Sequence, residues 1–165
     1  MITHPWTSPH QCHSSETLLP MEEMDRKILK LLADDGRISF TDIGRMTGLS
    51  TSAAQQRVRR LEQRGVIQGY TARIDPTALG QTLTAFIAVH PFESAQPDDT
   101  PERLQHIPEI VSCYSIAGDA NYLLMVQCEN PPDLERLLAE IRAHARVSTH
   151  TTLVLSVPFA DRSPL

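Results

Sequence analysis

A chain of 165 residues, 41% hydrophobic and 21% charged, has the composition of an ordinary globular protein and room for two small domains. No apolar run approaches the roughly 20 residues that span a bilayer, which excludes a transmembrane helix. The three cysteines, Cys12, Cys113 and Cys128, form no C-x-x-C pair, which excludes a disulfide framework and a zinc finger. The net charge of −5 has the wrong sign for a nucleic-acid binder, but it is unevenly spread. Met21–Asp75 holds ten Lys/Arg against eight Asp/Glu, while Pro76 onward holds five Arg against eleven acids. A mildly basic head therefore precedes an acidic body.

Residues 1–20 are rich in Pro, Ser and Thr and read as a disordered arm. The arm lacks the basic start and apolar core of a secretory signal, so a cytoplasmic location is expected. His4, His10, Cys12 and His13 cluster in it without a spacing that fixes ligand geometry, and no metal site is assigned.

Residues 21–68 read as a helix-turn-helix domain. Over 22–34, Met24, Ile28, Leu31 and Leu32 recur on one stripe, with Glu22, Glu23 and Asp25 at the dipole-favoured end and Gly36 after it. A second, shorter helix begins at Ser39, whose spacing to Asp42 resembles a capping box, and Ile43 and Met46 supply its inward face. Gly48 permits a tight turn, Ser50 caps a third helix, and Gly65 follows its end at Arg64. Helix, short glycine turn, helix is the signature of a DNA-reading head.

In the third helix Ala54, Val58 and Leu61 point inward. Ser52, Gln56, Arg59, Arg60 and Gln63 then project outward, flanked by Ala53, Arg57 and Arg64. Short residues at the start allow close approach to a groove, Gln can pair with adenine, and Arg can read guanine or grip phosphate. Ser50 and Thr51 lie at the positive end of the helix dipole, where a phosphate would bind. A merely solvated face usually mixes signs, whereas here Arg57, Arg59, Arg60 and Arg64 meet a single acid, Glu62. Arg37 and Arg45 are further candidates for phosphate contact.

Val66–Ile67 and Tyr70–Ile74 are β-rich and predict a short ribbon or linking strand, making 69–81 a connection punctuated by Asp75-Pro76 and Gly80. From 82 to 158 strand and helix alternate. Strands are expected at 83–90, 110–117, 122–127 and 147–157, with helices at 102–106 and from Pro131, and 159–165 is a tail. The fold class is α+β: a (winged) helix-turn-helix followed by a ferredoxin-like β-α-β-β-α-β unit. A sheet covered by two helices leaves its other face without a partner, so a homodimer is expected. Alternation places Cys113 and Tyr114 on opposite faces, one in the core. His106, His144 and His150 read as surface or interface groups.

These residues resemble the Lrp/AsnC (feast/famine) family of transcriptional regulators. The run DRKILKLLADDGR from Asp25, then Leu49-Ser50, then Arg57-Val58-x-Arg60-Leu61-Glu62, ending in Gly65-Val66-Ile67-x-Gly69-Tyr70, looks like that family's head. The second half is similar to its amino-acid-binding (RAM) domain. The resemblance implies double-stranded DNA as partner, a dimer built through the RAM sheets and assembling further to octamers, and a small effector, usually an amino acid. It places that effector near Gly118, Asp119, Asn121, Thr149, Thr151 and Thr152. The family's Gly-x-x-Asp turn here reads Gly118-Asp119-Ala120-Asn121, so an amide replaces a carboxylate that would face an ammonium group.

Two other readings share this layout. One is an effector-independent winged-helix regulator; the other is an enzyme like the sirohaem decarboxylases, which would be expected to have a degraded recognition face. No phosphate-cradling glycine loop, nucleophile elbow or H-E-x-x-H is present, so no catalytic residue, cofactor or membrane partner is assigned.

Overall fold

A computed structural model describes residues 21–92 and 99–160, in two units that meet in sequence at Thr71 and Ala72. The arm 1–20, with its His/Cys cluster, and the end of the tail, 161–165, lie outside the described residues.

The first unit holds three helices: α1 (Glu23–Asp34), α2 (Phe40–Thr47) and α3 (Thr51–Gln63). The Ser39 hydroxyl accepts from the Asp42 amide at 3.1 Å, the capping bond expected from sequence, and donates to the Asp42 carboxylate at 2.6 Å, so the return contact of the box is made through the hydroxyl rather than the Ser39 backbone amide. Ser50 caps α3 by accepting from the Ala53 amide at 3.2 Å. Ile28, Ile43, Ala54, Val58 and Leu61 are fully buried, and Met24, Leu31, Leu32, Leu49 and Ile67 pack around them. Each large aliphatic side chain removed from water contributes about 1.5–3 kcal/mol.

Met46 departs from expectation: it is 60% exposed rather than inward. The inward residue beside Ile43 is Gly44, where α2 meets the start of α3; a Cβ there would lie 2.7 Å from the Leu49 carbonyl oxygen. At that approach there is no room for a side chain, and Met46 turns to solvent.

The ribbon expected over 66–74 does not form. Val66 and Ile67 fold back instead, their amides donating to the Leu61 carbonyl at 2.9 and 3.2 Å after Gly65 turns at φ 67°. A strand needs a neighbour for its ladder, and none of the described residues supplies one. Accordingly no wing is seen among the described residues of this unit. Pro76–Leu79 forms a 3-10 turn capped by Asp75.

The second unit is a four-stranded antiparallel sheet with two helices. Its elements are β1 (Leu83–Pro91), α4 (Thr100–Leu104), β2 (Ile110–Ser115), β3 (Tyr122–Cys128), α5 (Pro131–Ala145) and β4 (Val147–Leu153). The order across the sheet is β2-β3-β1-β4, the ferredoxin-like arrangement. One face carries Ala85, Ile87, Val89, Leu124, Val126, Cys128 and Val147, buried against Leu104, Ile107, Leu137, Ile141 and Ala145. On the other face, which neither α4 nor α5 covers, lie half-buried Phe86, Ala88, Leu123 and Met125 and the 47%-exposed Tyr114. Cys113 is exposed as well, so neither member of that pair joins the core.

Three boundaries shift for local reasons. α4 begins at Thr100, before the expected Glu102, because Pro101 fits a first helical turn. β2 stops at Ser115, since the Ile116 amide donates to the Asn121 carbonyl at 3.0 Å and closes the hairpin. β4 stops at Leu153, opposite Ala85, rather than at Val157; one more amide, Val154, reaches Thr84, and in this register β1 offers no partner beyond Leu155.

At the start of β2, Glu109 accepts from Arg136 of α5 at 2.7 Å. That hydrogen bond holds the Glu109 carboxyl below its ordinary value of 4.5. A carboxylate with a lowered folded-state pKa stabilises the fold above its unfolded pKa, and that contribution disappears as pH falls through the folded value. The melting temperature of the wild type should therefore drop more steeply below about pH 4.5 than that of Glu109→Gln. Parallel acid titrations followed by circular dichroism would detect the difference; identical curves would remove the pair's role.

Candidate functional sites

In the first unit, α3 presents Ser52, Gln56, Arg59, Arg60 and Gln63 to solvent, and its first turn holds no acid. Arg37, Arg59, Arg60 and Arg64 make no ion pair among the described residues, so their charge is uncompensated at the surface. Ser50, Thr51 and Ser52 are exposed at the helix start, with the Ser50 and Ser52 hydroxyls 3.1 Å apart. Uncancelled dipole, short hydroxyls and free guanidinium groups on one helix suit a polyanion with readable base edges. Arg45 is less available, bound to Asp42 at 2.8 Å.

Arg57 does not belong to that outward set. Its Nη1 donates to Asp25 and to Glu22, both at 2.8 Å, bracing α3 against the start of α1. The Asp25 and Glu22 hydrogen bonds raise the guanidinium pKa above its ordinary value, so it is permanently charged. The Asp25 side chain is only 11% exposed and that of Arg57 24%. Sequence reading placed Arg57 by its charge and flank position. The missed signal was Asp25, three residues before Ile28 and seven before Leu32 on the buried stripe, where an acid needs a cation.

In the second unit the six residues expected around a small ligand do not form one set. Gly118, Asp119 and Asn121 sit on the exposed hairpin between β2 and β3, and the Asn121 amide anchors it by donating to Val89 at 3.1 Å. Thr149 pairs with Val89, at the same end of the sheet. Thr151 pairs with Ile87, and Thr152 pairs with Phe86 on the other face. At about 3.3 Å per residue, Thr151 and Thr152 lie progressively farther from the hairpin. Strand alternation thus splits the three threonines: Thr149 and Thr151 share the helix-covered face, and Thr152 opens onto the uncovered one. Thr149 is further engaged by Arg142, whose Nε donates to its hydroxyl at 2.9 Å.

His90, which sequence reading passed over, links hairpin and edge strand. Its Nδ1 donates to the Asp119 carbonyl at 2.9 Å, and its own carbonyl accepts from the Ser148 hydroxyl at 3.4 Å. Only its position at the end of β1 hinted at this.

Residues 21–62 match the family described as the AsnC-type helix-turn-helix domain, and residues 84–164 match the Lrp/AsnC ligand binding domain. The chain is 48% identical over 142 residues to the HTH-type transcriptional regulator LrpA of Mycobacterium tuberculosis, covering 86% of this chain and 95% of that protein. It is 36% identical over 123 residues to the leucine-responsive regulatory protein of Escherichia coli, covering 73% of this chain and 74% of that one. A solved feast or famine regulatory protein from M. tuberculosis, complexed with L-methionine, is 48% identical with a TM-score of 0.83, covering 86% of this chain and 97% of that one.

Proposed function

The chain belongs to the Lrp/AsnC family of HTH-type transcriptional regulators, and from that premise we propose that it acts as a homodimer whose two α3 helices enter successive major grooves of its operator. The observation that carries the DNA role is the one-signed outward face of α3, with Arg59 and Arg60 unpaired beside Gln56 and Ser52. In this reading Ser50, Thr51 and Arg37 grip phosphate, and Ser52, Ala53, Gln56, Arg59 and Arg60 face base edges and flanking phosphates. Arg57 holds α3 at its angle rather than touching DNA. Recognition heads in such a dimer address half-sites about 34 Å apart along the duplex. Selection from a random duplex pool should enrich a two-fold symmetric or repeated motif; enrichment of none would overturn sequence-specific binding.

The dimer contact in this proposal is the uncovered sheet face around Phe86, Leu123, Met125 and Tyr114, an apolar surface that a second copy can bury. Phe86→Asp should convert the dimer to monomer on size-exclusion chromatography with light scattering. It should also lower operator affinity at least about 100-fold by removing the second head. A variant that stays dimeric would place the contact elsewhere. Further assembly of dimers to octamers is part of the same proposal, and light scattering of the wild type tests it.

For the effector we favour an amino acid bound at the hairpin end of the sheet, where the Asp119 carboxylate can meet an ammonium group and Gly118 and Asn121 offer backbone and amide hydrogen bonds. Support comes from the L-methionine held by the 48%-identical neighbour. The threonine set contracts to Thr149, since Thr151 lies farther along the strand from the hairpin and Thr152 opens onto the other face. That contraction, with Asn121 in the hairpin, favours a second reading in which the unit only assembles. A thermal-shift screen of the twenty amino acids decides between them: a hit abolished by Asp119→Ala supports the sensor, and no hit supports the assembly module.

A further inference from the structure

The geometry points to a site for a divalent transition-metal ion, Zn²⁺ in the first instance, formed by His106, Glu140 and His144 on the surface of the second unit. Sequence reading assigned no metal here because His106 lies 34 residues before Glu140; the packing of α4 and α5 brings it to the Glu140–His144 pair. One donor atom from each of the three lies within 4.8 Å of the others. A tetrahedral ion with bonds of about 2.1 Å holds its donors roughly 3.4 Å apart, so rotations of exposed side chains complete the cage.

Four features argue for a built site rather than a chance cluster. Glu140 and His144 are one helical turn apart on α5, beside the stripe of Leu137, Ile141 and Ala145 that fixes that helix to the sheet. His106 follows α4 between buried Leu104 and Ile107, so its backbone is pinned on both sides while its ring faces outward. The rings of His106 and His144 meet edge to face, centroids 5.1 Å apart. The tautomer is also set. His144 Nδ1 lies 2.9 Å from the Glu140 carbonyl oxygen, which can only accept, so Nδ1 carries the proton and the Nε2 lone pair is left for a metal. An imidazole held by its second nitrogen in this way is the usual arrangement of a metal-ligating histidine.

Arg136 is the competing group. It contacts one Glu140 oxygen at 3.3 Å, but its shorter bond, 2.7 Å, goes to Glu109, which neutralises it. Two imidazoles and a carboxylate suit zinc, with a fourth position open to water. Such an ion would clamp α4 to α5 and stabilise the unit that carries the uncovered sheet face.

The test uses the full chain stripped with chelator and titrated with ZnCl₂ by calorimetry, beside His106→Gln/His144→Gln and Glu140→Gln. All three positions are at the surface or half-buried, and circular dichroism verifies that each variant folds. The wild type should bind one more Zn²⁺ than the double variant and melt higher when loaded. Glu140→Gln should weaken that equivalent by about tenfold or more. Co²⁺ should give a visible absorption band in the wild type that the double variant lacks. Equal stoichiometry in wild type and double variant would place any bound zinc elsewhere, for instance on His4, His10, Cys12 and His13, and would overturn the site. Absence of binding in both would overturn it as well.

Discussion

Arg59→Ala/Arg60→Ala should lower operator affinity roughly 1,000-fold, at about 1 kcal/mol for each of the four guanidinium groups removed from a dimer. The same variant should flatten the dependence of log K on log salt by up to about 0.9 for each phosphate no longer gripped. Both arginines are exposed and make no ion pair among the described residues, so the fold should keep its melting temperature. Arg57→Ala is the matched contrast. It leaves Asp25 largely buried without its cation, and should cost about 1–3 kcal/mol of head stability. DNA affinity, measured well below the new melting point, should change little. Fluorescence anisotropy at several salt concentrations and thermal melts separate the two patterns. Loss of DNA binding without loss of stability in Arg57→Ala would return that residue to the interface and undo its role as a brace.

Gly44→Ala should destabilise the head by about 2–3 kcal/mol, against the ordinary trend. In an exposed helix interior, replacing glycine by alanine gains up to about 1 kcal/mol. Here the added methyl would meet the Leu49 carbonyl oxygen at 2.7 Å, a backbone atom at the entrance to α3 that can move only if the two helices separate. Since α3 is aimed by that close approach, the operator affinity of the folded fraction should fall with stability. Gly48→Ala is the control: its φ of 75° strains any side chain, but no atom lies within 4 Å. It should cost about 1 kcal/mol and leave α3 in place. A neutral or stabilising Gly44→Ala would mean that the close approach is absent in solution.

What sequence could and could not convey follows from the range of the interactions. The caps at Ser39 and Ser50 and the buried stripe of α3 are local, set by residues three or four apart, and they were legible. The strand order was legible too, because alternation and turn residues repeat along the second half. Met46 and Gly44 were not, since which side of a short helix faces in depends on the helix packed against it. The ion pairs of Arg57 were not legible because its partners are 32 and 35 residues upstream. The faces of the threonines were not legible: a run of hydroxyls in sequence is an alternation in space, and only the pairing with Phe86 and Ile87 shows which face each takes. His106 and His144 needed the α4–α5 packing before they could be seen as neighbours.

In the proposed dimer the uncovered sheet face would also tie regulation to supply. Burying it against a second copy would make the two-headed species a function of how much protein is present, by mass action. At low copy number single-headed chains would predominate, each with only one helix to offer DNA. A promoter would then respond steeply once concentration passes the dimer dissociation constant. Phe86 and Leu123 would set the protein level at which a gene begins to be controlled, although neither touches DNA.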